Sequence, residues 1–396
     1  MEFNPFSSEF FEDPYETYRW LRDEAPVYRN EEFGFWTLSR FDDVVAAHRD
    51  WNTFSSEHGL TIDQLTDPDS PVRGTSIIMM DPPAHDRMRK LVSRVFTPRA
   101  VAALEPMISD VIASCLDPLR DQDELDLVAD FSAPFPVEVI STMLGVPSTD
   151  RQQIRHWTDL ILHREPNNPA TTHEGMEAAL FQVGYFLELI AEKRRHPGDD
   201  MITRLIAVEV TDEDGTVAYL TDGEIAGFAG LLAAAGSETV TKLIGNGVVL
   251  FHRHPDQWHK LLGDRTKTPA AVEEVLRYWA PSQYQGRFSH APSTWHGVTI
   301  PGGAPVLLLT GAANRDERAY DDPDTFEIDR TPGLSIGLGH GIHACLGAAL
   351  ARLESRIAFE AIADRWPNYA VDESGLRRVH MSNVAGFSNV PVVAAA

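Results

Sequence analysis

Cysteine is the most reactive residue type in this sequence, and its two copies stand in different surroundings. Cys115 lies within an apolar helical pattern, which favours a buried structural role. Cys345 lies in the glycine- and histidine-rich stretch 338–347 (LGHGIHACLG), directly before a helical pattern. A helix N-terminus carries partial positive charge and unpaired N–H groups, and both favour a thiolate over a thiol. The position therefore predicts a metal ligand or a nucleophile, with a buried structural cysteine as the alternative.

Three other kinds of site compete for the same region. His340, His343 and Cys345 are zinc-ligand types, but no fourth ligand cluster accompanies them and structural zinc takes four ligands. A cysteine hydrolase would need a base such as His380, and no spacing argues for that pairing. Residues 333–337 (GLSIG) match the G-x-S-x-G nucleophile elbow. That elbow needs a preceding strand and a following helix, whereas further glycines follow here.

A second candidate site interrupts the most apolar segment of the chain. The run 225–236 holds 12 apolar or small residues before Ser237, Glu238 and Thr239. A membrane span needs ~20 apolar residues, so the segment predicts a buried core helix instead. Charged residues are rarely buried without a partner or a function, and we therefore expect one for Glu238.

The same segment predicts a long helix whose glycine content is unfavourable for helix formation. Thr221 and Glu224 form a capping box, and the helical pattern runs to His254 before Pro255. At 1.5 Å per residue, this helix would be roughly 50 Å long. Six glycines lie within it, and each is about 1 kcal/mol less favourable than alanine in a helix. We therefore expect a neighbour to pack directly against its backbone.

Composition excludes several classes of function. The 396 residues include 34 basic and 59 acidic side chains, which gives a net charge of −25. Nucleic acid and anionic membranes would repel such a chain. Two cysteines exclude a disulfide scaffold and a four-cysteine metal cage, and they fit a reducing cytoplasm. The acidic N-terminal stretch resembles neither a signal peptide nor a membrane anchor.

The remaining pattern predicts many helices and few strands. Helical periodicity runs through parts of 100–210, through 269–279 and through 346–366. Strand-like alternation occurs in 27–39 and 283–311. Because no strand–helix–strand alternation is present, we predict a mainly α protein with a small β portion (α+β). The absence of repeats and long linkers favours one integrated body.

The stretch GHGIHACLG resembles the cysteine-ligand signature of the soluble bacterial cytochrome P450 family, and the resemblance covers essentially the whole chain. It implies the cytochrome P450 fold, with residues 1–396 as a single domain around a buried haem b (iron protoporphyrin IX). The lobes implied are a β-rich one mostly from 14–60 and 280–330, and a helix-rich one from 83–279 and 346–366. Cys345 would then bind the haem iron as a thiolate.

The polar interruption of the long helix matches the family's A-G-x-[D/E]-T motif at Ala235, Gly236, Glu238 and Thr239. The resemblance implies that this helix lies across the haem and that Ala235 and Gly236 contact it. Thr239 would hydrogen-bond bound dioxygen and Glu238 would supply protons, so both are predicted catalytic residues. Ser237 or Thr239 can also bond back to a helix carbonyl and open the helix locally.

Glu274 and Arg277 match the family's E-x-x-R motif. They lie three residues apart on one helix face and can therefore pair. The resemblance implies a buried structural pair behind the haem loop. Thr325 occupies a place often held by arginine, and Arg330 is our candidate for the missing partner of Glu274.

His85 and Arg89 match the family's H-x-x-x-R motif and would clasp the haem propionates from one helix face. The further haem contacts implied by the resemblance are Arg287, Leu338, Gly339, His343 and Gly347. Two positions depart from the usual pattern. Leu338 stands where the family usually has phenylalanine, and Ala344 where many bacterial members have an aromatic residue, which changes the packing expected near the sulfur.

The resemblance implies a haem-thiolate monooxygenase that inserts one oxygen atom from O2 into an apolar small molecule. Terpenoids, steroids, fatty acids, aromatics and polyketides all remain open as substrates. The lining of the substrate pocket would come from 55–80, the long helix, the strand after Pro281 and the C-terminal turn. The residues predicted there are Ile77, Ile78, Met79, Leu231, Ala235, Gln283, Tyr284 and Phe387.

The sequence holds no flavin or nicotinamide motif, so electrons would come from a ferredoxin or flavodoxin with its NAD(P)H reductase. The segment 85–99 carries five basic side chains against one acidic, a local charge of +4, and is the predicted docking patch. We expect a cytoplasmic monomer. The alternatives are a haem-thiolate peroxygenase or isomerase that needs no electron donor, and a haem-based gas or redox sensor.

Overall fold

The computed structural model of the chain describes residues 1–67, 73–211, 217–331 and 333–394. Its helices are α1 Ser8–Glu12, α2 Tyr15–Glu24, α3 Phe41–Arg49, α4 Ile62–Thr66, α5 Ala84–Val92, α6 Pro98–Ala102, α7 Glu105–Leu116, α8 Pro134–Leu144, α9 Arg151–Leu162, α10 His173–Arg195, α11 Met201–Ala207, α12 Asp222–Arg253, α13 Pro255–Gly263, α14 Thr268–Tyr278, α15 Thr310–Ala313 and α16 Ala348–Arg365. Short 3₁₀ turns include Ile77–Met79, Ser93–Phe96 and Gly341–His343.

The strands are short. They are β1 Val27–Asn30, β2 Phe35–Leu38, β3 Phe54–Ser55, β4 Glu124–Asp126, β5 Glu209–Thr211, β6 Val217–Tyr219, β7 Gln285–Ser289, β8 Ser293–Trp295, β9 Val298–Ile300, β10 Ala304–Leu308, β11 Tyr369–Val371, β12 Arg377–Arg378, β13 Phe387–Asn389 and β14 Pro391–Ala394. The largest sheet has the order β1-β2-β10-β7-β3, and its only parallel pair in the described chain is β2 with β10. A second sheet has the order β11-β14-β4.

The chain is mainly α with a small β part, as the sequence predicts, with 54% helix and 13% strand. Four strands of the five-stranded sheet come from the two segments with strand-like alternation, and the fifth, β3, lies outside them. The sequence pattern does not predict β3, β4, the β5–β6 hairpin or the C-terminal strands. These strands are two to four residues long, which is too short for a period of two to stand out.

Helix α12 organises the helical part of the molecule. Thr221 and Glu224 form the predicted capping box, and the helix runs for 32 residues to Arg253. It packs against α8, α9, α10, α14 and α16. An alanine Cβ at Gly247 would lie 2.3 Å from the Phe359 ring on α16. The glycines of this helix therefore permit the close packing that their number predicts.

Two further helices carry residues of the predicted site. The basic helix α5 ends at Val92 and continues as a 3₁₀ turn to Phe96. Helix α16 begins three residues after Cys345. No helix among the described residues is long and apolar enough to cross a membrane.

Candidate functional site

An apolar cavity of about 170 Å³ lies between the middle of α12 and the loop before α16. The loop contributes Cys345 and the facing helix contributes Thr239. The residues of the predicted site that line it are Ile77, Ile78, Arg89, Leu231, Ala235, Gly236, Thr239, Leu338, His343, Cys345 and Gly347. The fold thus brings together residues that are more than 250 positions apart in sequence.

Glycines shape the loop that presents Cys345. The Cys345 N–H donates to the Leu338 carbonyl over 2.8 Å and closes the loop. Gly339 and Gly341 have φ of +73° and +69°, a region that favours glycine. A Cβ at Gly341 would lie 2.2 Å from the His48 carbonyl oxygen, so the loop also needs glycine for its contact with α3. The Gly347 N–H then bonds to the sulfur at the start of α16.

The electrostatics of Cys345 differ from the sequence prediction of a lowered pKa. Burial raises the pKa of the Cys345 thiol, and the Gly347 N–H, Arg89 and Arg352 only partly oppose this effect. Desolvation of the thiolate is therefore the largest single influence. A metal cation at the sulfur reverses that balance, because a coordinated thiol is deprotonated. This chemistry fits a metal ligand better than a free nucleophile.

A group of buried cationic and hydrogen-bonding side chains lies beside the loop. The rings of His85 and His343 are 4.6 Å apart, and the Nε2 atom of each is buried without a hydrogen-bond partner among the described residues. Arg89 donates to the Ala344 carbonyl over 2.8 Å. Arg287 is 3% exposed and bonds to a backbone carbonyl. In the described part of the chain, neither guanidinium forms an ion pair.

Burial is the largest influence on the pKa values of His343 and Arg287 in this group and of His48 nearby. Burial, followed by the charge of Arg287, lowers the pKa of His343 to about 2 and that of His48 to about 3. Burial also lowers the pKa of Arg287 to about 10. Buried histidines and arginines of this kind lack a negative group to pair with. The cluster is therefore suited to a bound dianion such as the two carboxylates of a haem.

Ser237 and Thr239 bond back to helix carbonyls, as their positions predict. The Ser237 hydroxyl donates to Ala233 over 2.6 Å, and the Thr239 hydroxyl donates to Ala235 over 2.8 Å. The predicted local opening of the helix is absent, since α12 is continuous through these residues. Of the two hydroxyls, only that of Thr239 faces the cavity, because Ser237 is fully buried.

Glu238 lies on the other side of α12 from the cavity. Its carboxylate is 2% exposed and lies 2.9 Å from the Lys242 ammonium, one turn further along the helix. Both line a separate open cleft with Asp159 of α9 and Arg378 of β12. Burial, with the nearby Glu238 charge, raises the pKa of Asp159 to about 7. The acid predicted to supply protons is therefore reached from this cleft.

The E-x-x-R pair is buried, as the resemblance implies. Arg277 donates to both carboxylate oxygens of Glu274 over 2.7 and 2.8 Å. It also donates to the carbonyls of Asn314, Pro323 and Thr325. Arg330 lies 3.3 Å from the same carboxylate, so it provides the partner expected in place of an arginine at position 325. The pair ties α14 to the segment that leads to the Cys345 loop.

Four residues predicted to line the substrate pocket lie elsewhere. Gln283 donates to Ala280 and accepts from Tyr18, and the Tyr284 hydroxyl donates to the Ser382 carbonyl, so both are held in the core. Phe387 packs edge-on against Trp279. Met79 is not among the described residues that line the cavity, although its neighbour Ile78 is. The predicted lining segment 55–80 also includes 68–72, which lie outside the described residues.

The structure also reveals residues that sequence reasoning missed. Further members of the cavity wall include Phe96, Ile140, Phe228, Leu232 and Glu354. Phe228 and Leu232 share the helix face of Leu231 and Ala235, so helical spacing could have found them. Glu354 is 1% exposed with an unpartnered Oε2, and burial raises its pKa well above the ordinary value. Nothing in the sequence around Glu354 separates it from an exposed helical acid.

Comparison with known proteins identifies this arrangement. The sequence profile of the family described as Cytochrome P450 matches residues 35–366. The chain belongs to the cytochrome P450 family. This P450 is 43% identical over 390 residues to putative cytochrome P450 123 of Mycobacterium tuberculosis H37Rv, with 98% of this chain and 96% of that protein covered. It is 38% identical over 403 residues to the vitamin D(3) 25-hydroxylase of Pseudonocardia autotrophica, with 98% and 95% covered.

Its structure is similar to that of CYP109E1 from Bacillus megaterium in complex with testosterone. The TM-score is 0.89 at 34% sequence identity, and 97% of this chain and 98% of that chain are covered. P450 proteins are haem-thiolate oxidoreductases that incorporate oxygen, so haem b is the cofactor of this chain. The cavity fits that group, because it joins an apolar interior to the cysteine loop, to the guanidinium of Arg89 and to the unpartnered Nε2 atoms of His85 and His343 beside it.

Proposed function

We propose that this P450 hydroxylates, or oxidises in a related way, an uncharged apolar small molecule. The observation that carries the proposal is the cavity in which Cys345 faces Thr239 across an apolar interior. Haem held there supplies the oxygen chemistry, and a thiolate ligand favours cleavage of the O–O bond. We assign the thiolate to Cys345. The propionates are assigned to His85, Arg89, Arg287 and His343.

Oxygen binding and proton supply are assigned to residues on opposite sides of α12. We propose that Thr239 holds dioxygen by a hydrogen bond from the cavity side, as a catalytic residue. Glu238 would carry protons from the cleft side, where Lys242 fixes its carboxylate. Since the Glu238 carboxylate lies away from the cavity wall, its proton must cross the helix at the level of Thr239. This division keeps bulk water out of the apolar side.

The cavity wall favours substrates without charge. On the side of α12, the wall consists of Phe228, Leu231, Leu232, Ala235, Gly236, Thr239 and Val240, in which the single polar side-chain group is a hydroxyl. The named ligands of similar proteins include testosterone, a neutral apolar steroid, and a hexadec-9Z-enoic acid ligated acyl carrier protein. We therefore propose a terpenoid, steroid, aromatic or polyketide substrate over a free fatty acid, whose carboxylate would need a cation of its own because Arg89 of this cavity is assigned to the haem propionates.

The first experiment tests the assignment of the ligand. The reduced CO complex of the wild type should show the absorption signature of a haem thiolate. Replacing Cys345→His should keep haem bound and abolish that signature, whereas Cys115→Ser should leave it unchanged. A thiolate signature that survives Cys345→His would contradict the assignment. Substrate-induced changes of the haem spin state then screen candidate compounds without turnover.

The second experiment tests the role of Thr239. Thr239→Ala should lower the product formed per NADH consumed and raise peroxide release, because the hydrogen bond to oxygen is lost. Ser237→Ala is the matched control, since it removes a hydroxyl that makes the same helix contact away from the cavity. Equal coupling in wild type and Thr239→Ala would argue against this role and for a peroxygenase or a sensor.

We further propose that a ferredoxin or flavodoxin with its NAD(P)H reductase supplies the electrons, and that the protein acts in the cytoplasm. The donor would dock on the surface around α5 and α6. Of the basic residues predicted there, Lys90 and Arg99 are exposed. Arg89 turns inward to the Ala344 carbonyl, and Arg87 pairs with Glu224 over 2.9 Å. The side chain of Arg94 lies outside the part of the chain that the structure describes.

We also propose that residues 1–396 form one domain.

A further inference from the structure

Two carboxylates and an imidazole meet at one edge of the five-stranded sheet. Glu57 follows β3, Asp81 lies three residues before α5, and His290 follows β7. Each offers one ligand atom, a carboxylate oxygen or a ring nitrogen, and these three atoms lie within 4.8 Å of one another. Among the described residues, this is the single group of three or more histidine, cysteine or acidic side chains with that spacing. None of the three lines the haem cavity.

The backbone holds these three residues together without help from an ion. Strand β3 pairs antiparallel with β7, and the His290 N–H donates to the Thr53 carbonyl over 2.8 Å. The Ser56 N–H donates to the Asp81 carboxylate over 3.1 Å. The chain that carries Glu57 is therefore fixed between the other two members of the group.

Asp81 is the member that points to a cation. It is 6% exposed, and within the described ranges its carboxylate accepts one hydrogen bond, from Ser56, and forms no ion pair. The charge of Asp81 partly offsets the effect of burial on the pKa of Arg287. Arg287 nevertheless bonds to a backbone carbonyl and is assigned to the haem propionates. Buried carboxylates are costly unless they are paired or coordinate a metal, so a cation at this group would supply the missing counter-charge.

The donor atoms select the class of cation. Carboxylates and water suit Mg²⁺ and Ca²⁺, whereas imidazole suits Zn²⁺ and other late transition metals. Two oxygens and one nitrogen, with a fourth position left for water, match a zinc site that has three protein ligands. Ligand atoms of such a tetrahedral site are ~3.4 Å apart, given Zn–N and Zn–O bonds of about 2.0–2.1 Å. Glu57 and His290 are exposed, so their side chains can close the remaining gap by rotation.

We propose that Glu57, Asp81 and His290 form a binding site for a divalent transition-metal cation, of which Zn²⁺ fits the donors best. One carboxylate oxygen of each acid and one ring nitrogen of His290 bind the ion, and water completes its coordination. The His290 ring packs edge-on against Phe288 and His58, with ring centroids 5.9 and 5.6 Å apart. This packing limits the orientations that the imidazole must lose when it binds.

The proposed ion acts on the segment between its two carboxylates. Glu57 and Asp81 flank residues 58–80, and Ile77 and Ile78 of that segment line the haem cavity. A shared cation ties both ends of the segment to the end of β7, where His290 lies. Zn²⁺ therefore stabilises the folded chain by mass action. The proposal does not depend on the proposed function, because no ligand of the ion contacts the haem site.

Equilibrium dialysis of the tag-free, haem-loaded chain against Zn²⁺ tests the proposal, with excess Mg²⁺ present to occupy sites made of carboxylates alone. Elemental analysis then gives the zinc bound per haem iron, and the wild type should bind one. Glu57→Gln and His290→Ala each remove one ligand and should raise the zinc dissociation constant at least about tenfold. His173→Ala is the matched control, because that exposed histidine lies 3.8 Å from a single carboxylate, Glu177.

Thermal unfolding gives a second readout. Zn²⁺ should raise the midpoint of the wild type and leave those of Glu57→Gln and His290→Ala nearly unchanged. The haem absorption spectrum checks that both variants fold, since the replaced side chains are exposed. A wild type that binds no more zinc than His290→Ala, or one that His173→Ala weakens equally, holds an adventitious ion only and overturns the proposal. Loss of the thiolate absorption on adding Zn²⁺ would place the ion at Cys345 and would also overturn it.

Discussion

At the residue scale, the Glu274–Arg277 pair shows how burial changes the free energy that is lost when a common ion pair is broken. The two side chains are 4% and 3% exposed, and Arg277 donates to three backbone carbonyls besides the carboxylate. Removing one partner of a buried pair leaves the other charge uncompensated, at a cost of about 3–5 kcal/mol. An exposed pair contributes about 0–1 kcal/mol. The adjacent residue Glu273 forms such an exposed pair with Arg352.

We therefore predict that Arg277→Ala lowers the free energy of unfolding by about 3–5 kcal/mol, or prevents haem incorporation altogether. Arg352→Ala, which breaks the neighbouring exposed pair, should cost at most about 1 kcal/mol. Urea unfolding followed by circular dichroism measures both. Similar losses for the two variants would show that the buried pair has no special structural role.

At the same scale, Asp159 predicts a pH dependence of stability. Burial and the Glu238 charge raise the pKa of Asp159 from 3.8 to about 7. The folded chain therefore retains a proton that the unfolded chain releases as the pH rises from about 4 to about 7. The contribution of Asp159 to stability is thus favourable at low pH and is lost through this window. The other charged groups of the cleft are Arg155, His163, Lys242, Arg378 and His380.

Asp159→Asn should remove this part of the pH dependence and stabilise the protein at neutral pH relative to the wild type. Urea unfolding at several pH values between about 4 and about 7 measures the slope. Asp199→Asn, at an exposed aspartate that pairs with Arg204, is the control. An unchanged slope in Asp159→Asn would mean that the carboxyl is ionised throughout, with Arg155, which lies 3.8 Å away, and Lys242 as its counter-charges.

At the element scale, two glycines of α12 allow the effect of close packing on stability to be distinguished from the effect of helix propensity. A Cβ at Gly247 would overlap the buried Phe359 ring of α16, whereas a Cβ at Gly223 would meet nothing within 4 Å. Gly247→Ala should therefore destabilise the protein by about 1–3 kcal/mol through overpacking. Gly223→Ala should be neutral or stabilising by up to about 1 kcal/mol, because it gains only helix propensity. Thermal unfolding compares the stabilities of the two variants. A stabilised Gly247→Ala would show that α16 shifts away from the added methyl group at little cost.

The same helix shows which features the sequence determines and which it leaves open. Local chemistry defines its start at the capping box and its end before Pro255, and both were predicted within a residue or two. The resemblance to the cytochrome P450 family sufficed to place Cys345 and Thr239 at one site, because each lies in one of the family's motifs. The direction of the Glu238 side chain depends on Lys242 of the same helix and on the position of α9. The position of α9 cannot be predicted from the sequence of α12 alone. Gln283 and Tyr284 likewise have polar groups whose partners come from distant segments.

At the scale of the whole molecule, the net charge of −25 conceals the surface that a donor would use. Long-range repulsion would slow the approach of an acidic ferredoxin everywhere except near clustered cations. The structure reduces the predicted +4 segment, because Arg89 faces the haem site and Arg87 pairs with Glu224. Lys90 on α5 and Arg99 on α6 remain exposed. Steering by so few charges should be sensitive to salt.

We therefore predict that added salt slows the reduction of this P450 by an acidic ferredoxin, measured by stopped flow as formation of the reduced CO complex. The double variant Lys90→Glu, Arg99→Glu should slow the bimolecular rate by about tenfold or more at low salt and remove most of the salt dependence, as charge changes at a docking rim act mainly on association. Arg204→Glu, on α11, changes the net charge by the same amount per residue and controls for the global field. If Arg204→Glu slows reduction as much as either docking substitution alone, the donor responds to net charge and not to this surface. If neither variant alters the rate, the donor binds elsewhere on the molecule.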